Sequence, residues 1–165
     1  MVRMIVGSGW HPRLFREEVL RIYDSDQAIH PRIVIVDQKE NPDLTCSHSS
    51  MILDNAIILP MRVEEISESI RQWLSEYPIN DTFAVRTTIL GDGVPGLKRR
   101  NIEGTIGKEI TDTGAIVDLN DPEITVRIIL AGAADQPQHP DPLVSEPVAV
   151  IGIETVSYTH LRAHE

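Results

Sequence analysis

Apolar and polar residues alternate along this chain in two rhythms, one with the period of a strand and one with that of a helix. Met1–Val6 is a short apolar run closed by Gly7-Ser8-Gly9, which predicts a strand and a turn. The rhythm changes at Pro12, a residue suited to a first helical turn because its missing N–H would have no partner there. Phe15, Val19, Ile22 and Tyr23 share one face of the predicted helix, while Arg16, Glu17 and Arg21 point elsewhere. Arg32–Asp37 and Ser50–Met61 are β-branched and apolar and predict buried strands, the second stopping at Pro60. Lys39–Asp43 between them is a loop broken at Asn41-Pro42. Val63, Ile66, Ile70, Trp73, Leu74 and Tyr77 then form a stripe at helical spacing. Glu64 and Glu65 fall early in that helix, where the macrodipole favours acids.

In the second half, Thr82–Leu90 alternates strictly, with Phe83, Val85, Thr87 and Ile89 on one face of a predicted strand. A glycine loop, Gly91–Gly96, leads into a third helix from Lys98 to Ile110 that puts Ile102, Ile106 and Ile110 on one side. Ala115–Leu119 and Glu123–Leu130 predict two further strands around the breaker Asn120-Asp121-Pro122. Gly132–Pro147, with four prolines, predicts a loop, and Val148–Ile153 a last strand. Strands interleaved with helices define an α/β or α+β chain with helices packed on small sheets. A length of 165 residues suits one domain or two small ones sharing a core.

Composition narrows the class. Hydrophobic residues at 41% and charged residues at 24% are those of a globular chain, and no apolar run is long enough to span a bilayer. No secretion signal is read at the start, and the single cysteine, Cys46, forbids an intramolecular disulfide framework; both fit a reducing cytoplasm. The net charge of −10 opposes nucleic-acid binding at long range. Its distribution is uneven, however. Between Phe83 and Ile110, Arg86, Lys98, Arg99, Arg100 and Lys108 stand against Asp92, Glu103 and Glu109, a net +2 that leaves −12 on the remainder. That asymmetry permits a local anion site on an acidic body.

The candidate chemistry lies at the start of the third helix. Lys98, Arg99 and Arg100 sit where the helix already carries partial positive charge and unpartnered N–H groups, and each cation there costs about 0.3–1 kcal/mol. An anion, most simply a phosphate, would turn that cost into convergent attraction. Taken alone, three exposed cations read more readily as a solvated surface than as an anion site.

The residues around the cluster change the balance. Phe83-Ala84-Val85-Arg86, a loop into a helix with Ile102-Glu103 and Ile106-Gly107, then Val117-Asp118-Leu119 and Asp121-Pro122-Glu123-Ile124-Thr125-Val126-Arg127 follow in an order that resembles the THUMP domain. That domain is found in thiouridine synthetases, certain pseudouridine synthases and tRNA methyltransferases. The resemblance implies a small mixed sheet flanked by helices and recognition of the acceptor end of transfer RNA. It implies RNA contacts from Arg86, Lys98, Arg99 and Arg100, with Lys108 on the same helix as a further candidate. Phe83, Val117, Leu119 and Val126 would be core, and Asp118 a turn or cap residue.

The preceding stretch, with its strand, Ser8-Gly9, His11-Pro12 and helix, looks like the N-terminal ferredoxin-like unit of archaeal-type tRNA guanine-N2 methyltransferases, which modify the guanosine at position 10. The organisation expected is a ferredoxin-like unit over 1–62, a THUMP domain over 63–154 and a non-native tail over 155–165. The tail resembles translated sequencing-adapter sequence, a natural terminal helix being the alternative. S-adenosylmethionine is then expected as cofactor of a catalytic domain that would follow in cis, with none in this chain. Two rivals remain: the THUMP module of a thiouridine synthetase or pseudouridine synthase, and an α/β ligand- or protein-binding module with no RNA role, which the net charge favours.

Catalytic signatures are not found. Gly7-Ser8-Gly9 lacks the third glycine of a dinucleotide or methyl-donor loop and reads as a plain turn. Neither Asn41-Pro42-Asp43 nor Asp141-Pro142-Leu143 supplies the second proline and aromatic of an amino-group methyltransferase. Cys46 and His48 are two apart without a second pair, so no metal site is expected; His139, among prolines, reads as a loop residue.

Overall fold

The structure is a computed structural model that describes residues 2–37, 48–133, 141–143 and 145–157. The loop Lys39–Asp43, Cys46, His139 and the tail beyond Ser157 lie outside the described residues. Among the described residues the elements run β1 (Val2–Gly7), α1 (Pro12–Tyr23), β2 (Gln27–His30), β3 (Ile33–Asp37), β4 (Ser49–Leu59) and α2 (Val63–Glu76). They continue with β5 (Phe83–Leu90), α3 (Arg99–Thr111), β6 (Ile124–Ala131) and β7 (Val148–Ser157). No described helix is long and apolar enough to cross a membrane.

All the strands join one sheet of order β2-β3-β1-β4-β7-β6-β5. Neighbours are antiparallel except β5 and β6, which run parallel in register from Phe83–Ile124 to Leu90–Ala131 and are connected through α3. A parallel pair needs such a crossover, because a tight turn reverses direction. The N-terminal strands and the later ones are therefore continuous across the β4–β7 ladder. That ladder slips twice, and Asn55 takes a left-handed backbone (φ 53°) at the irregularity. Gly152 faces the slip. A Cβ there would lie 2.8 Å from the Leu53 Cβ, so β4 and β7 approach this closely only because the residue is glycine. The Trp73 indole N–H donates to the Asn55 carbonyl at 2.7 Å and ties α2 to the same place.

Three cores follow from the alternation. Ile102, Ile106 and Ile110 of α3 and Ile66, Ile70 and Trp73 of α2 pack on the sheet face formed by Phe83, Val126, Ile128 and Ile151. Phe15 and Val19 of α1 pack on Ile5, Val34 and Ile52. On the faces opposite these helices, Met4, Val6 and Ile33 meet Leu90, Ile129 and Val150, so the two wings of the sheet close on one another. Polar contacts hold the closure. The Nδ1 of buried His30 accepts from the Arg32 N–H at 3.1 Å, which leaves Nε2 protonated to donate to the Gly132 carbonyl at 3.1 Å. Arg16 grips Asp141 with two bonds of 2.6 and 2.7 Å, and also the Pro31 carbonyl at 2.9 Å. The Arg16 guanidinium holds the Asp141 carboxyl below the usual carboxylate range. Arg3 and Asp54 form a buried pair at 2.6 Å, whose hydrogen bond raises the Arg3 guanidinium above its ordinary value.

Three expectations change. β2 had no counterpart in the sequence pattern. β7 runs past Ile153 to Ser157, so Thr155, Val156 and Ser157 belong to the ladder with β4. Ala115–Leu119 is not a strand. It meets β5 at a single bridge, Phe83–Val117, after which the Asp118 carboxylate accepts from the Asn120 and Asp121 N–H groups at 3.0 Å each and turns the chain away. Asp118 is thus a turn residue, as read. Val117 and Leu119 are not core: they are 44% and 66% exposed, whereas Phe83 and Val126 are fully buried.

Candidate nucleic-acid interface

The interface is built at the free edge of the sheet, because β5 is its last strand. Loop Gly91–Gly96 leaves β5 with Gly93 and Gly96 at positive φ, buries Val94 and Leu97 against the core, and delivers Lys98 to the start of α3. Lys98 is the N-cap in an extended conformation (φ −98°, ψ 139°), with no side-chain acceptor for the first amides and no acid in the first turn. The other two described helices start differently. His11 Nδ1 accepts from the Leu14 N–H of α1, and Glu64 and Glu65 occupy the first turn of α2. α2 also begins on a cation without a side-chain cap, Arg62, but has those two acids in its first turn, whereas the cations at the α3 start have no acid among them.

The predicted residues are placed as follows. Lys98, Arg99 and Arg100 are exposed at the α3 start, and Arg86 is exposed on β5. Arg99 Nη2 donates to the Thr87 carbonyl at 3.2 Å, which fastens the helix start to the edge strand. Arg86 Nη2 donates to the Leu119 carbonyl at 2.9 Å and holds the segment that runs beside β5. No carboxylate pairs with Arg86, Lys98, Arg99 or Arg100 among the described residues. Glu109, the acid nearest the far end of the helix, is instead taken by Arg71 of α2 at 3.1 Å. Lys108 is not brought to this cluster. It lies in the last turn of α3, where a cation favours the helix dipole, roughly 13 Å along the axis from Arg99.

Beside Arg100 a cavity of about 320 Å³ opens between α3 and β5, lined by Phe83, Val85, Glu103, Gly104, Val117 and Leu119, with Gly107 completing it. A Cβ at Gly104 or Gly107 would meet nothing within 4 Å, so these two glycines leave space that any side chain would fill. Their signal was present in the sequence: two glycines inside one helix, each costing about 1 kcal/mol against alanine. Ile116, at 68% exposed, with Val117 and Leu119 completes an apolar rim. The arrangement offers cations and unpaired amides for phosphate, and an apolar cleft for a flat or aliphatic group beside them.

At the β1–α1 turn a Cβ at Gly7 would fall 2.4 Å from the Phe15 ring, and the Ser8 N–H is bonded to the His48 carbonyl at 2.8 Å. His48 of the Cys46/His48 pair is turned to Glu18, with Nδ1 at 3.2 Å from Oε2.

The fold at this edge is a mixed α/β unit with a parallel edge pair, a basic helix start and an adjoining cleft. Residues 61–133 match the family model of the THUMP domain, and that segment, somewhat under half of the chain, is a THUMP domain. No curated protein matches the sequence. Among solved structures, TrmN from Thermus thermophilus is similar with a TM-score of 0.62 and 15% identity, over 95% of this chain and 46% of that one. A 4-thiouridine synthetase in complex with RNA and bound ATP gives 0.55 and 12%, over 95% and 42%. A predicted N6-adenine-specific DNA methylase from Listeria monocytogenes gives 0.54 and 11%, over 93% and 40%. At such identities the likeness is one of fold. This chain spans less than half the length of each of these three.

Proposed function

We propose that this chain recognises the acceptor end of transfer RNA, with Lys98 and Arg100 contacting the backbone and Arg86 and Arg99 fixing the elements that present them. The observation that carries the reading is the cluster of cations, with no carboxylate partner among the described residues, at the start of α3 within the segment that matches the THUMP domain. A similar structure named as a synthetase–RNA complex supports an RNA ligand. The similar structures are named for different chemistries, methylation and thiouridine synthesis, so the part they share with this chain is better suited to holding RNA than to reacting with it. The reaction served, on this reading, is guanine N2-methylation by an S-adenosylmethionine-dependent domain beyond these residues, inferred from the resemblance of the N-terminal unit. A thiouridine synthetase is the second reading, favoured by the name of the RNA-bound structure.

The test is binding of an unmodified tRNA transcript by the whole chain and by the variant with Lys98, Arg99 and Arg100 all replaced by alanine. If two or three phosphate contacts are lost, affinity at low salt falls and the slope of log affinity against log salt shrinks by roughly 0.7–0.9 per contact. Unchanged affinity and slope would place the RNA site elsewhere or remove it.

A further inference from the structure

The face of α3 beside its buried stripe is left unfilled. Arg100, Glu103, Gly104 and Gly107 stand at i, i+3, i+4 and i+7, so they share one side of the helix next to Ile102 and Ile106. Long side chains ordinarily cover apolar surface at such positions. Here two of the four residues are glycines, and the result is the cavity of about 320 Å³ against β5, the size of a small-ligand site. Phe83 and Val85 line it from the sheet, and Val117 and Leu119 from the segment after α3.

The outer wall is fastened in place. The Phe83 N–H donates to the Ile116 carbonyl at 3.0 Å, the Asp118 N–H to the Phe83 carbonyl at 2.9 Å, and Arg86 to the Leu119 carbonyl at 2.9 Å. The cleft is thus formed before any occupant enters it. Its two charged residues decide what that occupant is. Arg100 and Glu103 carry opposite charges at i, i+3, yet they form no ion pair and neither has a hydrogen-bond partner among the described residues. An aliphatic side chain would fill the apolar part and leave the half-buried Glu103 carboxylate desolvated with no donor. A lysine or arginine from a protein would bring the donor and meet Arg100, with Lys98 and Arg99 in the same turn. An unpaired nucleobase meets both demands. Its flat face suits the apolar walls, an exocyclic amino group donates to Glu103, and its phosphate falls on the cationic end of the cleft.

We infer that the cleft between α3 and β5 receives one unpaired base bearing an exocyclic amino group, with Glu103 as the residue that sets this specificity. The inference deepens the reading that the chain binds RNA and rests on it. A carboxylate is an acceptor only, so it favours cytosine, whose edge carries an amino group, over uracil, which has the same size and a carbonyl oxygen in that place.

The experiment titrates the whole chain at fixed low salt with single-stranded oligocytidylate and oligouridylate of equal length, and with an unmodified tRNA transcript. The cleft predicts a preference for oligocytidylate of at least about 5-fold, which Glu103→Gln reduces to near parity because an amide can donate as well as accept. Gly104→Leu, which fills the cleft, weakens binding of oligocytidylate and of tRNA by about 5- to 150-fold, the worth of one stacked base. Its melting temperature stays at or above the parent's, since leucine is the better helix former, so the loss is not one of folding. If the parent and both variants bind the two oligonucleotides alike while tRNA binding still depends on Lys98, Arg99 and Arg100, the base pocket is overturned and the α3 reading stands. If the alanine variant of those three residues binds tRNA as the parent does while the preference still depends on Glu103, the phosphate contacts fail and the pocket survives. A parent that binds neither oligonucleotide nor tRNA overturns both.

Discussion

Replacing Gly132 with alanine tests how the edge of the sheet supports the interface. Gly132 is buried at the end of β6, its N–H donates to the Leu90 carbonyl at 2.9 Å, and its own carbonyl accepts from His30. A Cβ there would lie 2.7 Å from the Gly93 oxygen, 2.8 Å from the Gly93 nitrogen and 3.0 Å from the Asp92 nitrogen. All three are backbone atoms, so no side chain can swing aside. Ordinary contact begins near 3.4 Å, and the Gly91–Gly96 loop must retreat by about 0.7 Å, straining the Gly93 N–H bond to the Leu90 carbonyl, now 3.2 Å.

Overpacking of this kind costs about 1–3 kcal/mol, which for a chain of this size lowers the melting temperature by roughly 2–12 °C. Gly107→Ala supplies the opposite sign, since the new methyl meets nothing and the helix gains about 0.4–1 kcal/mol. Urea unfolding of the two variants beside the parent measures both. If Gly132→Ala matches the parent within about 0.3 kcal/mol, the loop is not packed against β6 as described and the placement of the α3 start loses its support.

Two further outcomes concern ion pairs. Because Arg16 holds the Asp141 carboxyl low, the stability this pair contributes is present above the ordinary carboxylate value of about 4 and disappears as pH falls through the lowered one. Asp141→Asn is therefore expected to be less stable than the parent at pH 7 and to converge with it in acid; a gap that persists unchanged below pH 3 would assign the effect to something other than the ion pair. Asp54→Ala leaves the Arg3 guanidinium, 3% exposed, without its carboxylate and costs about 3–5 kcal/mol, whereas Arg3→Met with Asp54→Leu loses far less by urea unfolding.

The elements with long, unambiguous periods were legible in the sequence. The stripes of α2 and α3 predicted the buried faces, because six or three apolar residues at helical spacing have no other way to share a side. β2 was not legible: four residues with Gln27 and His30 at the ends carry no period, and their conformation is set by pairing with β3. Ala115–Leu119 misled in the other direction. Its apolar residues imitate a strand, but the Asp118 turn ends the pairing after one bridge and leaves them in solvent. At the candidate interface the charges could be read but their partners could not. That Arg86 and Arg99 spend a donor on the Leu119 and Thr87 carbonyls depends on which chain segments the fold brings alongside β5.

Several departures from local consistency gather at one edge of the sheet. Cations on the open start of α3 oppose its dipole, two glycines weaken the same helix, Ile116, Val117 and Leu119 lie bare, and the buried Thr87 hydroxyl lacks a hydrogen-bond partner. By themselves the cations and glycines cost about 0.3–1 and 1 kcal/mol apiece. All of these residues lie on β5 or between β5 and β6, along one edge of the sheet. Elsewhere acids begin α2, a histidine caps α1, and buried charges are paired. A chain with a net charge of −10 has little reason to gather unpaired cations at a helix end that repels them, unless something negative comes to rest there. At physiological salt the field of the acidic body fades over about 8 Å, so a ligand that reaches the edge is governed by the local cluster more than by the distant excess of carboxylates.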